Sequence, residues 1–167
     1  MDSWQPTASI QTLRHRAELL AKVRGFFAAR DVLEVDTQCL SKAAVSDPFI
    51  DTLEVAYRAH PTAETEWHYL QSSPEHAMKR LLAAHSGPIY QLGKVFRNGE
   101  LGRLHNPEFT LLEWYRPGFS SEQLMDEVRD LLCELIGSVN SERLSYRELF
   151  LRHLGIDPHQ ASLPQLK

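Results

Sequence analysis

Cysteine is scarce, long apolar runs are missing, and there is no positive excess of charge; each shortage excludes a class of protein. Cys39 and Cys133 are the only two cysteines. They lie far apart without CxxC or Cys/His ligand spacing, so they read as reduced structural thiols and not as a zinc site or disulfide framework. No apolar run approaches the ~20 residues of a membrane-spanning helix. The start, Met1-Asp2-Ser3-Trp4, has neither the basic nor the apolar region of a secretion signal. A soluble, cytoplasmic protein is the expectation. The formal net charge is −4, whereas a protein that grips long nucleic acid usually carries a positive excess to displace counterions. The balance therefore argues against tRNA as a partner. Equally absent are the Walker A lysine loop, the dinucleotide glycine fingerprint, HExxH and GxSxG. A nucleotide, if used, must be held another way.

What is present is a chain of globular composition, 43% hydrophobic and 24% charged, whose 167 residues suffice for one cored domain. Residues 1–11 read as a polar tail. From Thr12 the apolar positions Leu13, Ala17, Leu20, Val23 and Phe27 recur at helical spacing, predicting an amphipathic helix that ends near Arg30. Val32, Leu33 and Val35 predict a short strand, Asp47-Pro48 a turn, and Phe49 to Tyr57 and Trp67 to Gln71 two more strands. Ser73-Pro74-Glu75 predicts a helix start, with a hydroxyl cap, proline at the first helical position and an early acid. Ile89 to Phe96 and Phe109 to Tyr115 predict an antiparallel pair around a polar connection. Ser120 with Gln123, and Ser145 with Glu148, form capping boxes ahead of two apolar-striped helices. Hairpin-joined strands with helices at the edges predict an α+β domain over residues 12–167, built on an antiparallel sheet.

The polar connection is where chemistry concentrates. Arg97 stands at a strand end, where a guanidinium fork can bind phosphate bidentately. Gly99 and Gly102 let the backbone approach a ligand closely. On the return strand, period-two alternation sets Phe109, Leu111, Glu113 and Tyr115 on one face and Thr110, Leu112, Trp114 and Arg116 on the other. A ring, a carboxylate and a phenol on one face can stack a flat base and hold an ammonium group. Each residue alone also has a plainer explanation. A strand-end Arg is commonly a solvated charge, a strand Phe is commonly core, Ser73 and Glu75 serve as helix caps, and His105 serves as a loop hydrogen-bonder.

The order of these residues is more specific than their spacing. Phe96-Arg97, a loop, and then His105-Asn106-Pro107-Glu108-Phe109-Thr110-Leu111-Leu112-Glu113-Trp114-Tyr115 resembles motif 2 of class II aminoacyl-tRNA synthetases, within them the lysine subgroup. Phe26 to Leu40 is similar to motif 1, and Ser73 to Leu81 to that subgroup's substrate-side helix. The Glu113-Trp114-Tyr115-Arg116-Pro117 ending resembles the branch whose acceptor is elongation factor P.

The resemblance implies ATP-dependent activation of lysine or (R)-β-lysine as an acyl-adenylate, with Mg²⁺. Arg97 would contact the α-phosphate and the attacking carboxylate, and Phe109 would stack on adenine. Asn98, Gly99, Glu100 and Asn106 would hold base, phosphate or ribose. Glu75, Glu113 and Tyr115 would recognise amino groups in a pocket lined by Ser73, with Pro74 beside it. Motif 1 implies a homodimer.

Three departures accompany the likeness. Gly99 stands where the family usually has Glu, with Glu100 next. Asp31 and Gln38 replace a usual Gly and Pro of motif 1. Motif 3, with a second arginine and the acids that bind Mg²⁺, would lie beyond Lys167, so no metal ligand is expected within the chain. The short polar stretch ahead of motif 1, where an anticodon-binding barrel would stand, favours a protein acceptor such as elongation factor P. Lysyl-tRNA ligation, and a non-catalytic binding or pairing module, are the alternatives.

Overall fold

The computed structural model describes residues 4–166. Helix α1 runs Ile10–Ala28, two residues ahead of the expected start, because the Ser9 hydroxyl accepts the Thr12 N–H and caps it there. Its apolar stripe is buried only at the C-terminal end, through Val23, Phe26 and Phe27, whereas Leu13 is exposed. After α1 the chain turns at Asp31 in the left-handed region, φ 53°, and enters β1 (Leu33–Glu34).

Two three-stranded sheets form where a single antiparallel one was expected. The first has the order β1-β5-β6, with β5 (Ile89–Phe96) and β6 (Glu108–Tyr115) antiparallel from Ile89↔Tyr115 to Phe96↔Glu108. Strand β1 joins it parallel to β5, with Leu33 opposite Ile89. That correction follows from connectivity: β1 and β5 are separated by the whole second sheet and a helix, the long crossover a parallel pair requires. The second sheet, β2-β4-β3, comprises β2 (Leu40–Ser41), β4 (Glu66–Leu70) and β3 (Glu54–Tyr57).

Strand β3 is shorter than the expected Phe49–Tyr57. The Asp47 carboxylate accepts the Phe49 N–H in an Asx turn, which leaves Phe49 in solvent and diverts residues 47–50 from the ladder. Helix α2 covers Glu75–Ala83. Pro74 takes the cap position instead of the first helical one, and Ser73 Oγ still accepts the Glu75 N–H at 3.0 Å. Helices α3 (Ser121–Ile136) and α4 (Tyr146–Leu154) begin at the two expected capping boxes, and the short α5 spans Leu163–Leu166. The mixture is α+β.

The core lies between α1, α3 and the back of the β5-β6 hairpin. Phe27, fully buried, stacks on Tyr90 at 4.4 Å between centroids and meets Trp114 at 5.5 Å. Val23, Phe26, Val32 and Leu131 close around them, with Leu112 and Leu135 packed alongside. Burial pushes the Tyr90 phenol up to about 12, and its hydrogen bond to Glu34 at 2.9 Å adds to the shift.

An unfolded tyrosine ionises near 10, whereas Tyr90 in the fold holds its proton until about 12. Its contribution is therefore fully present below pH ~10 and is lost as pH rises from ~10 to ~12. Tyr90→Phe is expected to flatten that alkaline loss, measured as the urea midpoint at a series of pH values. Equal slopes in both proteins would remove Tyr90 from the effect.

Candidate functional site

The hairpin positions two clusters on one face of β6. The alternation expected for that strand is realised. Leu112 and Trp114 pack on the core, Thr110 accepts a hydrogen bond from Arg16 at 2.7 Å, and Arg116 pairs with Glu127. Phe109, Leu111, Glu113 and Tyr115 take the opposite face. Phe109 and Glu113 stand about 13 Å apart along the strand.

At the loop end of the hairpin, Arg97 follows the last residue of β5 and donates its N–H to the Pro107 carbonyl at 2.9 Å. Gly99 then needs φ 73°, a left-handed value that glycine reaches without strain. Beyond it, Gly102 and His105 exchange backbone hydrogen bonds and close the loop.

The concavity left beside this loop has a volume of about 710 Å³ and is lined by Arg97, Gly99, Glu100, Asn106 and Phe109, together with Leu101, Leu104 and His105. The Arg97 guanidinium lies 5.2 Å from the centre of the Phe109 ring, a cation–π distance that aligns it along the aromatic wall. Glu100 Oε1 is 3.7 Å from it, close enough to balance charge but too far for a hydrogen bond. The Arg97 Nε is buried and has no protein partner. A buried, unpaired donor of a cation is costly unless a ligand supplies an acceptor. An anion such as a phosphate oxygen fits that requirement.

Asn98 is the one expected nucleotide-side residue that does not line this cavity. Its side-chain amide donates to Asp51 Oδ2 at 2.9 Å and its backbone N–H to the Asp51 carbonyl at 2.8 Å. Asn98 thus ties the turn to the segment ahead of β3, and Asp51 is a supporting residue that sequence reasoning missed. Nothing in the local sequence pairs two residues that far apart. Leu101 and Leu104 were missed too. Their signal in the sequence was two large apolar residues within a polar loop, and the structure leaves both about four-fifths exposed.

The second cluster gathers at the other end of the same face. Ser73 Oγ donates to Glu113 Oε2 at 2.6 Å while accepting the Glu75 N–H, so one hydroxyl joins the start of α2 to β6. Burial, then the negative charges of Glu113 and Glu75, push the Tyr115 phenol up to about 12. Two carboxylates and a neutral phenol form an acidic recess suited to ammonium groups. Glu75 is already engaged: Lys79 hydrogen-bonds its carboxylate and holds the Glu75 carboxyl below its usual range. A substrate amine there must compete with Lys79. Pro74 borders the recess as a buried cap and offers no side-chain polar group. Ser73 also edges a second cavity of about 820 Å³ between α2, β4 and residues 36–45.

Among the described residues no group of three or more His, Cys, Asp or Glu could hold a metal ion. No described helix is long and apolar enough to cross a membrane.

Comparison with known proteins places the chain by its sequence. The family of class II tRNA synthetases (D, K and N) matches residues 2–163. The chain is 53% identical over 165 residues to elongation factor P–(R)-β-lysine ligase of Hamiltonella defensa, covering 99% of this chain and 51% of that protein. It is 52% identical, with the same coverage, to the protein of that name from Yersinia enterocolitica and to that from Yersinia pestis. The chain spans about half the length of the curated relatives it matches. With a family match over nearly all its residues, the chain belongs to the class II tRNA synthetase family of the aspartate, lysine and asparagine type.

Proposed function

We propose that this chain carries ATP- and amino-acid-binding surfaces of a ligase that activates lysine or (R)-β-lysine and transfers it to a lysine of elongation factor P. The supporting observation is the single face of β6, with the Arg97–Phe109 cavity at one end and the Ser73–Glu113–Tyr115 recess at the other. In the first step a substrate carboxylate oxygen attacks the α-phosphorus in line. The bond to the bridging oxygen breaks and pyrophosphate leaves. Arg97, with its unpaired Nε, meets the negative charge that builds on the phosphoryl oxygens. Phe109 supplies a stacking surface for adenine, and Glu100, Asn106 and the backbone at Gly99 line the nucleotide's side. Asn98 acts from behind through Asp51.

Glu113, Tyr115 and Glu75 hold the amino groups, and Ser73 orients Glu113. In the second step the acceptor amine nitrogen attacks the acyl carbon, the bond to AMP oxygen breaks, and the amine loses a proton. Mg²⁺ supplies charge neutralisation to phosphates in such chemistry. Among the described residues no group of three or more His, Cys, Asp or Glu could hold it, and every role above belongs to the chain's own residues. Pairing of two copies through the segment resembling motif 1, residues 26–40, belongs to the same proposal.

The relatives' names support the acceptor, as does the net charge of −4, which disfavours tRNA. Calorimetry on the 167-residue chain is expected to detect binding of ATP and of lysine or (R)-β-lysine, and binding of neither overturns the proposal. Amino-acid-dependent ATP–pyrophosphate exchange on top of binding excludes a non-catalytic module, whereas binding without exchange assigns that role to the chain. Where exchange occurs, acyl transfer to elongation factor P and not to tRNA identifies the acceptor.

A further inference from the structure

Behind the acidic recess, on the opposite face of β6, sits a charge that none of the roles above uses. Glu127 of α3 is 5% exposed. Its Oε2 accepts the Trp114 indole N–H at 3.0 Å, and its Oε1 lies 3.4 Å from Arg116 Nε. Trp114 and Arg116 are the two chain neighbours of Tyr115, the first in β6 and the second just past its end. Arg116 is held further by the Arg30 carbonyl at 3.5 Å and by the Phe119 ring at 4.4 Å, while Arg30 reaches Glu127 at 3.9 Å and Asp130 at 4.0 Å.

A buried carboxylate is a poor choice for stability alone, because apolar residues of similar volume serve as well or better. What it adds here is direction. Strand β6 is an edge strand among the described residues, paired only to β5, and the Ile89↔Tyr115 pair is the last of that ladder. Among the described residues the ladder therefore holds Tyr115 from one side alone. Because successive strand residues point to opposite faces, anchoring 114 and 116 from behind fixes the direction of 113 and 115 in front.

We infer that Glu127 is a positioning residue for the amino-group recess, holding Glu113 and Tyr115 in place through Trp114 and Arg116. This inference rests on the proposed reading of the recess. Glu127 touches no substrate, and the Arg97–Phe109 end of the hairpin is outside its reach.

The test uses the full chain labelled with 3-fluorotyrosine. It contains five tyrosines, and the Tyr115 fluorine signal is assigned by its loss in Tyr115→Phe. Glu127→Ala is expected to shift or broaden the Tyr115 signal and leave those of Tyr57 and Tyr69, in the other sheet, in place. Lysine binding should weaken about tenfold, with ATP binding within about twofold of the parent. Glu127→Gln, which can still accept the indole N–H, is expected to recover most of both.

An unmoved Tyr115 signal in Glu127→Ala overturns the inference, as does an equal loss of lysine and ATP affinity. If Glu127→Ala collapses all five signals, Trp114→Phe takes its place. That variant removes the hydrogen bond and keeps an aromatic ring, and an unmoved Tyr115 signal there overturns the inference. Failure of the parent chain to bind lysine sinks the reading of the recess instead, and the fluorine signals still judge Glu127.

Discussion

Arg97→Ala is expected to weaken ATP binding by roughly 10- to 150-fold, because one charged hydrogen-bonding group is worth about 1.5–3 kcal/mol. Where the protein exchanges pyrophosphate, that activity should fall further, by about 10²–10³-fold, since the guanidinium meets charge that exists fully only in the transition state. The geometry supports both figures. Arg97 is the one arginine or lysine lining the hairpin cavity, and its Nε lacks a protein partner. Arg97→Lys is expected to recover little, as an ammonium cannot reproduce the planar fork or lie along Phe109. Phe109→Ala is a useful companion. It should weaken ATP through lost stacking and, by releasing the guanidinium, also lower the response to Arg97→Ala. Calorimetric titration of ATP into the parent, the three single variants and the Arg97→Ala/Phe109→Ala double variant gives the comparison. Affinity for ATP equal to the parent's in Arg97→Ala would remove this residue from the nucleotide site.

The parts of the fold readable in the sequence are those governed by local physics. Both capping boxes start helices at the expected serines, because a hydroxyl and an amide or acid three residues on satisfy backbone donors without help from elsewhere. The long hairpin is readable for a similar reason: its two strands alternate cleanly, and their turn carries Gly99 where φ must be positive. What failed to show depends on distant pairing. The parallel seat of β1 on β5 depends on a long crossover, and the expected strand loses Phe49 to Leu53, beginning with a turn that Asp47 closes. In the site, Arg97, Gly99, Glu100, Asn106 and Phe109 line one cavity, and Ser73, Glu113 and Tyr115 gather at the other end of the same face, while their roles toward ligands belong to the proposal. The resemblance did not convey which residues act from behind. Asp51 stands 47 residues from Asn98, and Glu127 sits 13 residues past Trp114 on a helix of its own; neither lies in a motif. The Lys79–Glu75 contact, by comparison, is local and legible from its i,i+4 spacing.

Phe27→Ala is the substitution expected to cost the fold most, about 3–5 kcal/mol. The ring is fully buried and stands at the meeting point of three others: Tyr90 stacked at 4.4 Å, Phe26 edge-on at 5.2 Å and Trp114 tilted at 5.5 Å. Truncation removes both its transfer free energy and the aromatic geometry, and the rigid rings around it cannot collapse into the space. Against a typical total of about 5–15 kcal/mol, such a loss brings a domain near its threshold. The core is small: few residues besides these are fully buried, and much of α1 and α3 is solvent-facing. The urea midpoint should drop sharply with an unchanged slope, and Phe27→Leu should show a smaller drop. The effect also discriminates between two views of the site. Phe27 touches Tyr90 on β5 and Trp114 on β6 from the side opposite Arg97 and Glu113, so it supports the hairpin without facing a ligand. Below the unfolding transition, Phe27→Ala should therefore reduce ATP and lysine binding together and modestly, unlike Arg97→Ala, which strikes one ligand. A selective loss of either ligand in Phe27→Ala would mean that the core is coupled to one end of β6 alone, contrary to a hairpin that moves as a unit.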